Sequence, residues 1–128
     1  MARVGAGAGW SDNYVETVTA SQTLSYNDSG KVFLVGTDAL TITLPATRAG
    51  VRYTFVNSGD DDAVLITVDP NSSDAIMGTI AAVSASANDG GALTNTKSGA
   101  NKGDWCTIVG DGSEGWYIIG GDGVWAGA

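Results

Sequence analysis

Histidine is absent from the chain, and cysteine occurs once, as Cys106. The first absence removes the commonest acid–base group near neutral pH and the commonest metal ligand. A single Cys builds neither an internal disulfide nor a zinc cluster. No transition metal and no cofactor is therefore expected. Cations are scarce as well: 6 Lys and Arg stand against 14 Asp and Glu, for a net charge of −8. They are scattered as Arg3, Lys31, Arg48, Arg52, Lys97 and Lys102. Nucleic acid binding needs clustered cations to meet phosphate, so no nucleic acid partner is expected. An anionic membrane surface is disfavoured for the same reason. No apolar run approaches the ~18 residues that a membrane-spanning helix needs. Pro occurs twice and the Gly residues follow no three-residue period, which excludes collagen. The first residues, Met1 to Trp10, lack the apolar stretch of a signal peptide, so synthesis and folding in a cytoplasm are expected.

What remains is an ordinary apolar content and an excess of glycine. Hydrophobic residues make up 43% and charged ones 16% of the chain, a balance that excludes disorder. Gly supplies 19 of 128 residues, about twice its usual share of ~7%. The length suits one domain. Residues 1–13 read as an arm, because Val4–Gly9 is nearly all Gly and Ala and buries little. Trp10 and Tyr14 follow as aromatic anchors.

From Tyr14 onward the pattern is β. Tyr14–Ala20 is rich in Val and Thr, and Gly30–Val35 carries the run Val32-Phe33-Leu34-Val35. Leu40, Ile42 and Leu44 alternate with Thr; Val51, Tyr53 and Phe55 share a face; so do Val64, Ile66 and Val68. Period two over five residues marks a half-buried strand. With a turn at Pro45–Gly50 and another at Ser58–Asp62, residues 39–69 predict a three-stranded antiparallel meander. Residues 70–101 predict long loops with one or two short strands, or a helix over Thr79–Ala87. Trp105–Val109 and Trp116–Ile119 predict a hairpin around the turn Gly110–Gly115, followed by Val124 and Trp125. No repeat of 20–50 residues is present, which argues against a solenoid or propeller. The expectation is an all-β domain over 14–128, an antiparallel sandwich or barrel with long loops.

No motif for catalysis survives inspection. Asp69–Asp74 begins like a calcium loop, but the Gly and Glu such a loop requires are replaced by Asp74 and Ile80. An irregular oxygen site using Asp60, Asp61, Asp62 or Asp69 stays open against a solvated turn. Glycoside hydrolysis needs two carboxylates across a cleft, and the only Glu residues are Glu16 and Glu114. Cys106 has no His to activate it. The run Gly110–Gly115 has no Lys and no helix after it, so it is no phosphate loop. Trp10, Trp105, Trp116, Tyr117 and Trp125 suit either a sugar-stacking platform or packing and subunit contact.

The C-terminal segment carries a resemblance. Gly103–Val109, then Gly115-Trp116-Tyr117-Ile118-Ile119-Gly120-Gly121, then Gly123-Val124-Trp125, resembles the closing strands of phage virion proteins. Tail-fibre modules and capsid decoration proteins end in this way, with a Trp-x-Ile-x-Gly strand and a final Gly-x-Trp. Upstream, Thr19–Ser25, Gly30–Val35, Thr41–Pro45, Gly50 and Tyr53–Asn57 are similar too, so the resemblance covers about residues 17 to 125. It implies a β-rich, non-enzymatic structural protein of a virion, commonly trimeric. The short chain has no shaft region, which favours decoration of the capsid exterior over a complete fibre. The expected partners are the major capsid protein and further copies of the chain. Trp10 and Tyr14 are the expected capsid-binding residues, on an arm mobile in the free protein and ordered on the capsid. Trp105, Trp116, Tyr117 and Trp125 are the expected subunit interface. The alternatives are a head or tail fibre module that contacts the host surface, and a carbohydrate-binding β-domain.

Overall fold

Period-two patterning becomes strand almost everywhere in the computed structural model, which describes residues 14–80 and 91–127. The described residues hold β1 (Val15–Val18), β2 (Gln22–Thr23), β3 (Val32–Val35), β4 (Leu40–Thr43), β5 (Arg52–Asn57) and β6 (Ile66–Asp69). They continue with β7 (Ala75–Met77), β8 (Leu93–Asn95), β9 (Trp105–Gly110), β10 (Gly115–Asp122) and β11 (Trp125–Gly127). A six-stranded sheet has the order β1-β3-β5-β9-β10-β7, and a five-stranded sheet the order β11-β8-β6-β4-β2. The two sheets pack face to face as a sandwich, as expected for an all-β chain. The arm over 1–13 and most of Thr79–Ala87 lie outside the described residues. Thr79 and Ile80 themselves are not helical.

The strand pairing corrects the expected meander. From β1 to β9 the chain changes sheet at every connection. Strands β4 and β6 therefore lie side by side and parallel in the five-stranded sheet, while β5 sits in the opposite sheet. The same winding makes β1, β3 and β5 parallel neighbours, and β2 a parallel neighbour of β4. Among the described residues, antiparallel pairing is confined to β5–β9–β10 and β6–β8–β11, and β7 closes the larger sheet parallel to β10. The sandwich is thus mixed rather than antiparallel. Residues 44–51 and 58–65 are longer than hairpin loops of ~2–5 residues. They carry the chain around the rim to the other sheet. No sequence repeat is needed for this, because each passage only has to turn one apolar face inward.

Both sheets turn their alternating apolar residues into one core. Phe33 of β3 and Phe55 of β5 are register partners, stacked at 5.7 Å between ring centroids. Tyr53 lies 5.5 Å from Trp116, and its hydroxyl donates to the Ser25 carbonyl at 2.7 Å. Ile42, Ile66, Val68, Leu93 and Trp125 meet them from the five-stranded sheet, all fully buried.

Candidate interaction surface

The residues expected at a subunit interface divide between inside and outside. Trp116 and Tyr117 are consecutive on β10, and successive strand residues point to opposite faces. Trp116 is fully buried and Tyr117 is 41% exposed. On β9, Cys106 and Ile108 point inward, while Trp105 is 36% exposed. Trp125 is fully buried and donates its indole N–H to the Asp122 carbonyl at 3.1 Å. This corrects the reading of Trp116 and Trp125: they are core residues of one chain, with no area left for a partner. Trp105 and Tyr117 stay on the surface. Tyr14 is 57% exposed just before β1, and Trp10 lies outside the described residues.

Register places the exposed pair in a larger apolar face. Across the six-stranded sheet, Thr17, Leu34, Val56 and Trp105 align in one row, which ends at Asp122. Val15, Val32, Thr54 and Thr107 align in the next. Arg52, Val109, Tyr117 and Met77 align in a third. A bulge in β10 between these rows leaves Ile119 51% exposed. The Trp105 indole lies over Gly120, where a Cβ would come within 3.1 Å of its ring. A residue without a side chain at 120 lets the indole rest against the sheet and widens the apolar surface. Tyr117 donates to Glu114 at 3.4 Å, and that carboxylate's charge holds the phenol above its ordinary value.

The remaining face residues were not anticipated, although the sequence holds the signal. Val32-Phe33-Leu34-Val35 and Trp116-Tyr117-Ile118-Ile119 are apolar at every position rather than every second one. A strand solvated on one face alternates, whereas a strand covered on both faces reads as a continuous apolar run. The five-stranded sheet differs: Thr41, Thr67 and Thr94 align on its outer face, beside Thr23 and Thr43.

Of the carboxylates weighed for catalysis or calcium, Asp60, Asp61, Asp74 and Glu16 are engaged in bonds within the chain. Asp60 pairs with Lys102 at 3.5 Å, and Asp61 accepts the Lys102 backbone N–H at 3.0 Å. The buried Asp74 accepts the Thr47 N–H at 2.8 Å. Glu16 on β1 pairs with Lys31 at 3.3 Å, whereas Glu114 lies in the β9–β10 turn. Among the described residues, no three of His, Cys, Asp and Glu are grouped so as to hold an ion. Cys106 is fully buried, and burial pushes its thiol far above the ordinary value. Reaction needs a thiolate with access to reagent. Native protein should therefore leave Cys106 unmodified by an aromatic disulfide reagent over hours, with full modification within minutes in denaturant. Rapid modification of the native chain would contradict the burial. A scan against models of known protein families finds no match, and a search of curated proteins finds none either.

Proposed function

We propose that this chain is a non-enzymatic structural protein of a phage virion, a decoration protein that binds the capsid exterior and stabilises the particle. It works as a homo-oligomer, with a trimer as the expected state. The observation that carries the reading is the apolar outer face built around Trp105, Tyr117 and Ile119 on an otherwise acidic sandwich. A broad, flat, charge-poor face suits contact with protein rather than turnover of a small molecule. The C-terminal resemblance to virion proteins gives that contact its setting. Binding energy is the whole mechanism: the domain bridges capsid subunits and opposes the outward pressure of packaged DNA.

The sugar-binding alternative keeps Trp105 and Tyr117 on the surface but loses two of its five platform aromatics. Its platform drew on several aromatic residues, and the core holds Trp116 and Trp125. The reading is tested by mixing the purified chain with expanded, undecorated capsids and sedimenting them. Saturable binding at a fixed ratio per capsid subunit is expected. Trp10→Ala should weaken it about thirtyfold, the share of an anchored aromatic worth ~2 kcal/mol. Deletion of residues 1–9 should weaken it less. Binding to a glycan array without capsid binding would replace this reading with the carbohydrate or fibre alternative.

A further inference from the structure

The two outer faces of the sandwich are built for different surroundings. The five-stranded sheet presents aligned threonines, polar side chains suited to water, of which Thr94 also donates to the Ala126 carbonyl at 3.3 Å. The six-stranded sheet presents Val15, Leu34, Val56, Trp105, Tyr117 and Ile119. Five inter-strand spacings of ~4.8 Å make this face about 24 Å wide. Apolar side chains spread over that extent, interrupted by Thr17 and by the hydrogen-bonded pair Thr54–Thr107, mark a contact site. β3 is apolar at all four positions, and its inner positions already face the core. Its outer positions, Val32 and Leu34, are only partly covered by the chain's own fold.

Charge identifies the occupant. The chain carries −8, so two copies repel wherever their carboxylates meet. Asp38, Asp60, Asp61, Asp111 and Glu114 all lie in turns and loops, and Asp28 ends a single 3-10 turn. The three rows of the outer face carry one cation, Arg52, and one carboxylate, Asp122, with Thr as the other polar residue. Arg52 aligns with Val109 at one end of β9, and Asp122 aligns with Trp105 at the other. Among the described residues, neither side chain forms an ion pair. The aligned rows carry opposite charges at their two ends, with Glu114 bordering them at the Tyr117 hydroxyl, so Arg52 of one copy can meet Asp122 of the other when the face docks on itself. It is also the face on which like-charged copies approach with least repulsion. A strongly basic partner would instead be drawn to the acidic turns.

We infer that the outer face of the six-stranded sheet is the surface on which a second copy of this chain docks, with Trp105 of β9 and Tyr117 and Ile119 of β10 as its most exposed aromatic and aliphatic contacts. The inference rests on the homo-oligomer part of the proposed function but departs from its trimer, since a face that meets itself joins two copies about a two-fold axis; it does not depend on the capsid. It leaves the threonine face of each copy turned to water.

The test is sedimentation equilibrium of the free chain, without capsids, across the micromolar range. The parent should have a mass above that of one chain. Ile119→Glu and Trp105→Ala should each raise the dissociation constant about thirtyfold or more. Thr67→Glu, on the opposite face, should leave it unchanged. Near-ultraviolet circular dichroism of each variant confirms that the fold is retained. Ile119 and Trp105 are partly exposed, so their replacement leaves the core intact. A monomeric parent at 50-fold the working concentration overturns the inference. So does an oligomer that Thr67→Glu dissociates and Ile119→Glu does not. A monomeric parent whose capsid binding is lost in Ile119→Glu would also overturn it, while leaving the capsid reading standing. An oligomer that fails to bind capsids would do the reverse.

Discussion

Trp116→Ala is expected to lower the unfolding free energy by about 3–5 kcal/mol, the range for removing a large aromatic from a packed core. Trp116 is fully buried on β10, opposite Ile76 of β7, with Tyr53 of β5 at 5.5 Å. Its loss opens a cavity between Tyr53 and Ile76, beside the short edge strand β7. A domain of this size has a total stability of ~5–15 kcal/mol, so the variant stands near the unfolding threshold at 37 °C. Trp116→Phe should cost less. It keeps the ring against Tyr53, and the indole N–H it removes makes no hydrogen bond among the described residues. Chemical denaturation of both variants measures the difference. An Ala variant that keeps parental stability and only loses its partners would return Trp116 to the interface.

Trp116 also marks where the sequence is legible and where it is not. The alternation of Val51, Tyr53 and Phe55, and of Val64, Ile66 and Val68, named the buried face of two strands correctly. Short strands inside the loop-rich segment are present at Ala75–Met77 and Leu93–Asn95. Alternation says which side of a strand is covered, but not whether the next strand lies beside it or across the core. Both arrangements bury the same residues, so the meander and the two-sheet winding share one pattern. The loop over 44–51 held the discriminating information, since its length exceeds what a hairpin uses. At the candidate surface the error was of another kind. Grouping Trp105, Trp116, Tyr117 and Trp125 by composition ignored that neighbours on one strand face apart. Applied strictly, the same rule separates Trp116 from Tyr117, and the unbroken run Val32–Val35 points to the outer face.

Asn57→Ala is expected to lower the unfolding free energy by a similar ~3–5 kcal/mol, through unpaired polar groups rather than lost apolar area. Asn57 ends β5 inside the sandwich and is fully buried. Its amide donates to the Val64 carbonyl at 3.1 Å and to the Asn95 Oδ1 at 2.7 Å. Its own Oδ1 accepts the Gly59 N–H at 3.0 Å. Asn95, on β8 of the other sheet, donates onward to Asp104 at 3.2 Å and to the Val124 carbonyl at 3.0 Å. Asp104 also accepts the Asn101 N–H at 2.9 Å. Gly123 leaves room for that carboxylate, since a Cβ there would lie 2.3 Å from its carbon. One chain of bonds thus ties the end of β5 to β8 and to the connections that enter β9 and β11. Removing the Asn57 side chain strands the Asn95 oxygen, the Val64 carbonyl and the Gly59 N–H together. Each buried group left unpaired costs about 1–3 kcal/mol. Asn57→Asp should be no milder despite its equal size. A carboxylate has no hydrogen to donate, so one of its oxygens would face the Asn95 oxygen and the Val64 carbonyl. The measurement is the urea midpoint of the two variants at neutral pH, with the slope of the transition held constant. A loss below ~1 kcal/mol for Asn57→Ala would mean that water replaces the amide, and that the sheets are held at this end by apolar packing alone.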